Sequence, residues 1–431
     1  MGGEEINKEE NLTKTLIVEE KQYILGRKEE IKGGSLNIGR YYALDSSLGS
    51  EVYVDIIHPH IILICGKRGY GKSHTIGVFI EEITKLDEKL KKNLGVVIFD
   101  TLGIFWTVKY PNNIDKDKLK RWDLYPKGFE INLFVPKKYM FEYKKKGIDA
   151  YSFSIKVSEL SPYHWCQLFN LKQTDPLAIS ITRNIMKMKS LHKNYTIDEL
   201  LLYIKNDDRC ECIVKDAVEN LLTSADSWGI FDKDGLSISD LIKPGTIANI
   251  DLSHLPNPDV KNIVATIISE KIFEKRIQSR KLYELRKMGL NVKETGLPMV
   301  WLVIDEAQLF LPNKKDVLSK DILINEWMRQ GRQPGLSLIM ATQRPSALES
   351  EVLSHSDIIV CHRVTAQEDI DALSLIRPTY MHENIKESIK KIGDEKGVAL
   401  IIDDTSESAH IIKIRPRLSW HGGAESLLVG P

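Results

Sequence analysis

Cysteine is scarce in this chain. Five cysteines in 431 residues do not make a disulfide framework. Long apolar runs are absent as well: Ile61 to Cys65 and Met299 to Ile304 fall far short of the roughly 20 residues that cross a bilayer. Charge of one sign is missing, since 60 Lys+Arg stand against 60 Asp+Glu. A ring or channel protein can be neutral overall and basic along one face, so this balance neither supports nor excludes nucleic acid. Met1 leads straight to Glu4 and Glu5 without a basic or apolar leader, and no secretory signal is expected. Ile6 stands where a myristoylation site needs Ser or Thr. No repeat or low-complexity stretch is present. What remains, with 42% hydrophobic and 28% charged residues, is the composition of a globular protein, expected to be cytoplasmic and without a membrane span.

The pattern along the chain is that of an α/β protein. Residues 1–58 read as a short β-rich leader: Leu16 to Val18, Tyr23 to Leu25 and Val52 to Ile57 are strand-like, with turns at Gly33-Gly34 and near Gly49. From His60 onward, buried strands alternate with helices. The strand-length apolar runs are Ile61 to Ile64, Val96 to Phe99, Ile247 to Ile250, Val300 to Ile304, Leu336 to Met340, Ile358 to Val360 and Val398 to Ile402, the signature of a parallel sheet covered on both faces. Between Phe134 and Lys243 the strand signal mostly vanishes. Helical periodicity takes over at Ile179 to Met188, Ile197 to Ile204 and Ile213 to Leu222. The expected division is a core of 59–136 and 244–423, a helical insertion at 137–243, and a tail at 424–431.

Gly66-Lys67-Arg68-Gly69-Tyr70-Gly71-Lys72-Ser73 fits G-x-x-x-x-G-K-[ST], the phosphate-cradling P-loop (Walker A). Its glycines let backbone N–H groups curl round phosphates, Lys72 reaches the β/γ oxygens, and the Ser73 hydroxyl ligates Mg²⁺. An apolar strand precedes it. A helical run from Ser73 through His74 to Leu86 follows and points its dipole at the phosphates. Met299 to Glu306 is an apolar strand ending in Asp305 and Glu306. Alone it reads equally as a solvated strand end. Beside a P-loop, Asp305 suits the Mg²⁺ shell and Glu306 suits activation of water.

Gln343, in Ala341-Thr342-Gln343-Arg344-Pro345, suits a sensor bonded to both γ-phosphate and lytic water; the alternative is a polar strand end before a proline stop. Arg329-Gln330-Gly331-Arg332 ends a helical segment beginning near Ile322. Arginine stabilises charge on a transferring phosphoryl group, often from a neighbouring subunit, but a solvated basic helix end explains the same residues. Cys210-Glu211-Cys212 lacks a second ligand pair at zinc spacing. His58 and His60 read as structural, Trp165, Trp228 and Trp327 as core, and Lys144-Lys145-Lys146 as a solvated face.

With these residues together, the chain resembles the HerA-like ATPases of the HerA/FtsK branch of P-loop NTPases, from about Gly39 to Gly423. The resemblance rests on His60 to Ser73, Ile98-Phe99-Asp100-Thr101-Leu102-Gly103, and Ser158-Glu159-Leu160-Ser161-Pro162. Gly245 to Leu255, Ile304-Asp305-Glu306-Ala307, Arg329 to Pro345 and Trp420-His421-Gly422-Gly423 complete it. It implies a RecA-like core, ATP and Mg²⁺ as cofactors, and a homohexamer translocating double-stranded DNA through its pore. By this likeness Arg332 is the trans-acting finger, with Arg329 second. Members with a complete N-terminal β-barrel carry the P-loop much later in the chain. The early Gly66 therefore predicts that most of the barrel is missing or replaced, which puts docking of the NurA nuclease in doubt. The other readings are a motor for single-stranded or viral DNA, in conjugation or packaging, and a slowly hydrolysing nucleotide-dependent scaffold.

Overall fold

Apolar residues that alternate between two sides of a strand must find two cores, and here they do. The computed structural model describes residues 23–29, 31–43, 45–375 and 385–423. Its strands are β1 (Ile24–Leu25), β2 (Ser35–Tyr42), β3 (Leu48–Asp55), β4 (Ile61–Cys65), β5 (Leu94–Asp100), β6 (Asn132–Pro136), β7 (Tyr151–Phe153) and β8 (Ile155–Lys156). They continue with β9 (Phe231–Asp232), β10 (Ile247–Asp251), β11 (Met299–Ile304), β12 (Leu336–Thr342), β13 (Ile358–His362), β14 (Val398–Asp403) and β15 (Ser408–Ile414). Thirteen of them form one sheet in the order β1-β3-β2-β15-β14-β13-β4-β12-β11-β5-β10-β6-β7, and β8 pairs with β9.

From β13 to β7 every pairing in the main sheet is parallel. On β4, Leu63 and Cys65 enter one core while Ile62 and Ile64 enter the other. On β11, Val300, Leu302 and Ile304 face the first core, and Trp301 and Val303 the second. The P-loop helix α1 (Lys72–Lys85) covers the second face with Ile76, Phe79, Ile80 and Ile83. The 30-residue helix Pro258–Lys287 covers the first with Val260, Ile263, Val264 and Ile267. Both faces are dry, so the central strands are continuous apolar runs.

All seven runs expected from apolar continuity are strands, most extended by a residue or two. Four further strands of the main sheet had no such signal. In β2, Leu36 and Ile38 alternate with Asn37 and Gly39, and β15 likewise mixes Ser408, His410 and Lys413 with its apolar residues. Strand β6 ends on Pro136 and β7 has three residues. Strands β2 and β3, within 1–58, join the main sheet because β15 bonds antiparallel to β2. Within 137–243, helices Pro176–Leu191, Ile197–Lys205 and Cys212–Ser227 accompany the edge strand β7 and the pair β8/β9. The strand read at Leu16 to Val18 and the tail at 424–431 lie outside the described residues.

Candidate functional site

The C-terminal ends of β4, β12, β11 and β5 lie side by side, and each carries polar groups where open α/β sheets bind ligands. Gly66 leaves β4 at φ 149°, and Gly69 and Gly71 take φ 81° and 119°, a backbone that L side chains rarely adopt. The loop is fastened on both sides. Gly66 N–H donates to the Thr342 carbonyl at 3.3 Å, and Lys67 N–H to the Arg363 carbonyl at 2.7 Å. His362 closes the floor: a Cβ on Gly66 would stand 2.6 Å from the His362 Cβ. Burial pushes the His362 ring down to about 3. The neutral ring lies 3.2 Å from the Val398 carbonyl through Nδ1 and 2.9 Å from the Thr75 hydroxyl through Nε2.

Lys67, Arg68 and Gly69 are exposed, Tyr70 and Ser73 are half-buried, and Lys72 is buried. Lys72 Nζ donates to the Lys67 carbonyl at 3.2 Å. Burial pulls its pKa down, while Glu306 and Asp305 act in the opposite direction. The Arg363 guanidinium lies 5.6 Å from the centre of the Tyr70 ring. His74, expected in the nucleotide-binding set, turns its ring away from the loop's glycines. Its ring is engaged by the Arg415 carbonyl at 2.9 Å and sits 5.8 Å from the His421 ring, leaving only its backbone N–H for phosphate.

Asp305 is 1% exposed. Its Oδ1 accepts the Glu306 N–H at 3.0 Å, and among the described residues its Oδ2 has no partner. Burial, followed by the charges of Glu306 and Asp100, pushes its carboxyl up to about 7. A buried, orphaned carboxylate oxygen close enough to Lys72 to feel its charge is the donor a hard cation needs. Asp305 and Ser73 therefore fit Mg²⁺. Glu306 has left-handed backbone (φ 53°), and its carboxylate accepts from the amides of Gln343 and Gln308. The structure thus brings Lys72, Asp305, Glu306 and Gln343 together.

It separates the two arginines from them. Arg329 follows a π-helical turn, Ile322–Met328, and binds both carboxylate oxygens of Glu351. Arg332 is exposed and lies just before β12, whose far end reaches the P-loop. Three contributors escaped the sequence reading: His362, Gln308 and Asp100. The last is a buried carboxyl at the end of β5, raised to about 6 by burial and Asp251. Asp100 lay inside a stretch that carries the family resemblance and Gln308 two residues past Glu306, whereas His362 stood near no motif.

Parallel strands, a P-loop after β4 and an acidic pair after β11, with β12 between them, define a P-loop ATPase. The chain belongs to the HerA helicase family: residues 36–272 match the family model described as helicase HerA, central domain. The DNA double-strand break repair helicase HerA of Sulfurisphaera tokodaii is 24% identical over 386 residues, covering 88% of this chain and 69% of that one. A probable DNA double-strand break repair helicase HerA of Methanocaldococcus jannaschii is 24% identical over 439 residues, covering 92% and 79%. Among solved structures, VirB4 of Thermoanaerobacter pseudethanolicus shares the fold, with a TM-score of 0.53 at 15% identity, over 89% of this chain and 97% of that one. Among the described residues, no helix is long and apolar enough to cross a membrane.

Proposed function

We propose that this ATPase is a motor that moves double-stranded DNA through the pore of a homohexameric ring. The observation that carries the reading is the position of Arg332. Strand β12 pairs with β4 in parallel register, Leu338 with Ile61 and Thr342 with Cys65. Arg332 precedes β12 and the P-loop follows β4, so the two lie at opposite edges of the sheet, about 20 Å apart along seven residues. Among the described residues the Arg332 side chain has no hydrogen-bond or ion-pair partner. A finger that cannot reach its own nucleotide serves a neighbour's, and each neighbour in turn needs another copy, which closes a ring.

In the proposed cycle, Lys72 and the loop N–H groups bind the β/γ-phosphates. Glu306 takes a proton from the attacking water, Gln343 orients that water, and Arg332 of the adjacent copy neutralises charge on the transferring phosphoryl group. Mg²⁺, held by Ser73 and Asp305, would supply charge neutralisation on the phosphate oxygens. DNA as substrate is supported by relatives named as DNA double-strand break repair helicases.

The test combines electron microscopy with turnover. Purified protein with Mg-ATP analogue and duplex DNA should form six-fold rings, and duplex should stimulate phosphate release. DNA affinity should fall steeply with salt and show little sequence preference. Glu306→Gln should keep nucleotide affinity and lose orders of magnitude in kcat. Undetectable duplex affinity at low salt would favour the scaffold reading, and preference for single strands would favour the other motor.

A further inference from the structure

The carboxylate of Glu306 is held by two arms, and both start at the end of β12. The first is Gln343, whose Nε2 donates to Oε1. The second is indirect and its polarity is fixed. The Arg344 backbone N–H can only donate, and it meets Thr342 Oγ1 at 3.1 Å. That hydroxyl donates to Gln308 Oε1, 2.8 Å away, because the ionised Glu306 oxygen on the other side of the Gln308 amide can only accept and so takes its NH₂. With its oxygen so engaged, the Gln308 amide turns its NH₂ toward Glu306 and donates to Oε2 at 2.5 Å. Thr342 is fully buried, so this hydroxyl has no water to turn to.

We propose that Gln308 is a positioning residue for the hydrolytic step, held by Thr342, which orients the second oxygen of Glu306. The proposal rests on Glu306 being the base. Gln343 is the arm that a γ-phosphate can draw away, because the amide suited to phosphate and water is the one bonded to Oε1. Once it leaves, Oε1 is free to accept a proton while Gln308 keeps the carboxylate from rotating. Both arms spring from the strand between the P-loop strand β4 and the acidic strand β11. A small movement at the end of β12 therefore reaches both oxygens at once. The left-handed backbone at Glu306 points the same way, since a non-glycine residue persists there only where its surroundings over-determine it.

Steady-state turnover of the full chain is measured with and without duplex DNA, alongside affinity for a fluorescent ATP analogue and the melting temperature. Gln308→Ala is expected to lower kcat roughly 10- to 100-fold, the usual range for groups that orient a reacting side chain, with analogue affinity within about two-fold of wild type. Thr342→Val, which keeps shape and deletes the hydroxyl, should do the same, and Thr342→Ser should restore turnover. Combining Gln308→Ala with Thr342→Val should cost no more than the worse single change, because the relay is already broken. Full activity in both Gln308→Ala and Thr342→Val, with Glu306→Gln inactive, overturns the proposal while leaving the base assignment intact. An active Glu306→Gln overturns the base assignment itself. If Thr342→Ser is as slow as Thr342→Val, or the double variant is multiplicatively worse, packing rather than the relay is responsible and the proposal fails.

Discussion

Arg329 grips both carboxylate oxygens of Glu351, at 2.7 and 2.8 Å, whereas the Arg332 side chain, three residues on, has no partner among the described residues. The first is committed to its own chain and the second is available. Arg332→Ala is therefore expected to bind nucleotide and assemble but hydrolyse slowly, by several orders of magnitude for a finger supplied in trans. Arg329→Ala should keep most of its turnover. Mixing inactive Lys72→Ala with inactive Arg332→Ala under subunit exchange should restore partial activity, read as phosphate release. Exchange confirmed by a labelled subunit with no recovery at any ratio rejects the trans role.

Lys72 is buried against the loop it serves and lies within the field of Asp305 and Glu306. Deleting it removes a positive charge from beside those carboxyls and leaves the β/γ-phosphates without its counter-charge. Lys72→Ala should weaken ATP binding at equilibrium and abolish turnover. Wild-type phosphate release from this variant contradicts the P-loop assignment.

Gly77 sits in the middle of α1, where alanine would ordinarily stabilise by about 1 kcal/mol. Here a Cβ would stand 2.5 Å from the Arg417 Cζ. That buried guanidinium donates to Ser419 Oγ and the Trp420 carbonyl, both at 2.8 Å. Beside it Glu81 accepts from Arg415 Nη1 at 2.8 Å and from the Ser419 N–H at 2.9 Å. Gly77→Ala should thus invert the usual sign and destabilise by about 2 kcal/mol or more, since disturbing a buried charge network costs several. Chemical denaturation reads it directly. A raised midpoint would show that Arg417 moves aside freely.

His60 supplies a pH dependence. Burial would push its ring down, but hydrogen bonds from Nδ1 to Asp357 at 2.6 Å and from Nε2 to Asp55 at 3.1 Å outweigh it and hold the ring up at about 9. Arg27 and His58 share the Asp55 carboxylate. The folded value lies above the unfolded value near 6.5. The stabilisation is therefore complete below about pH 6.5 and lost as pH rises toward 9, about 3 kcal/mol in all. Melting temperature should fall across that window in the wild type. In His60→Asn it should be lower at pH 6 and nearly flat, and an equal slope in both proteins would exclude His60 as the cause.

Contiguity decided what the amino-acid order revealed. Gly66 to Ser73 is one unbroken motif, and Asp305 and Glu306 end one apolar run, so both were readable without a fold. The central strands were readable because both of their faces are dry. Strands β2 and β15 were not, since each has a wetter side and its apolar residues never form a run. His362 lies nearly 300 residues beyond Gly66 and reaches it only because β13 neighbours β4. Gln308 and Thr342 meet only because β11 and β12 are adjacent. Arg332 was readable as a candidate, but its distance from its own P-loop required the direction of β12. The place of His74 after Ser73 says nothing of the Arg415 carbonyl that engages its ring.

The pairing of Tyr41 with Ile412 bears on how this chain is made. The hairpin of β2 and β3 is synthesised before the strand whose ladder ties it to the ATPase sheet, β15, which lies several hundred residues further along the chain. Until β15 arrives, the hairpin must wait with an open edge, the kind of strand other chains can pair with. Ladder contacts so far apart in sequence form slowly. A newly made copy is thus prone to wrong partners until β15 is placed, and premature termination upstream of Ser408 would leave that edge unpaired.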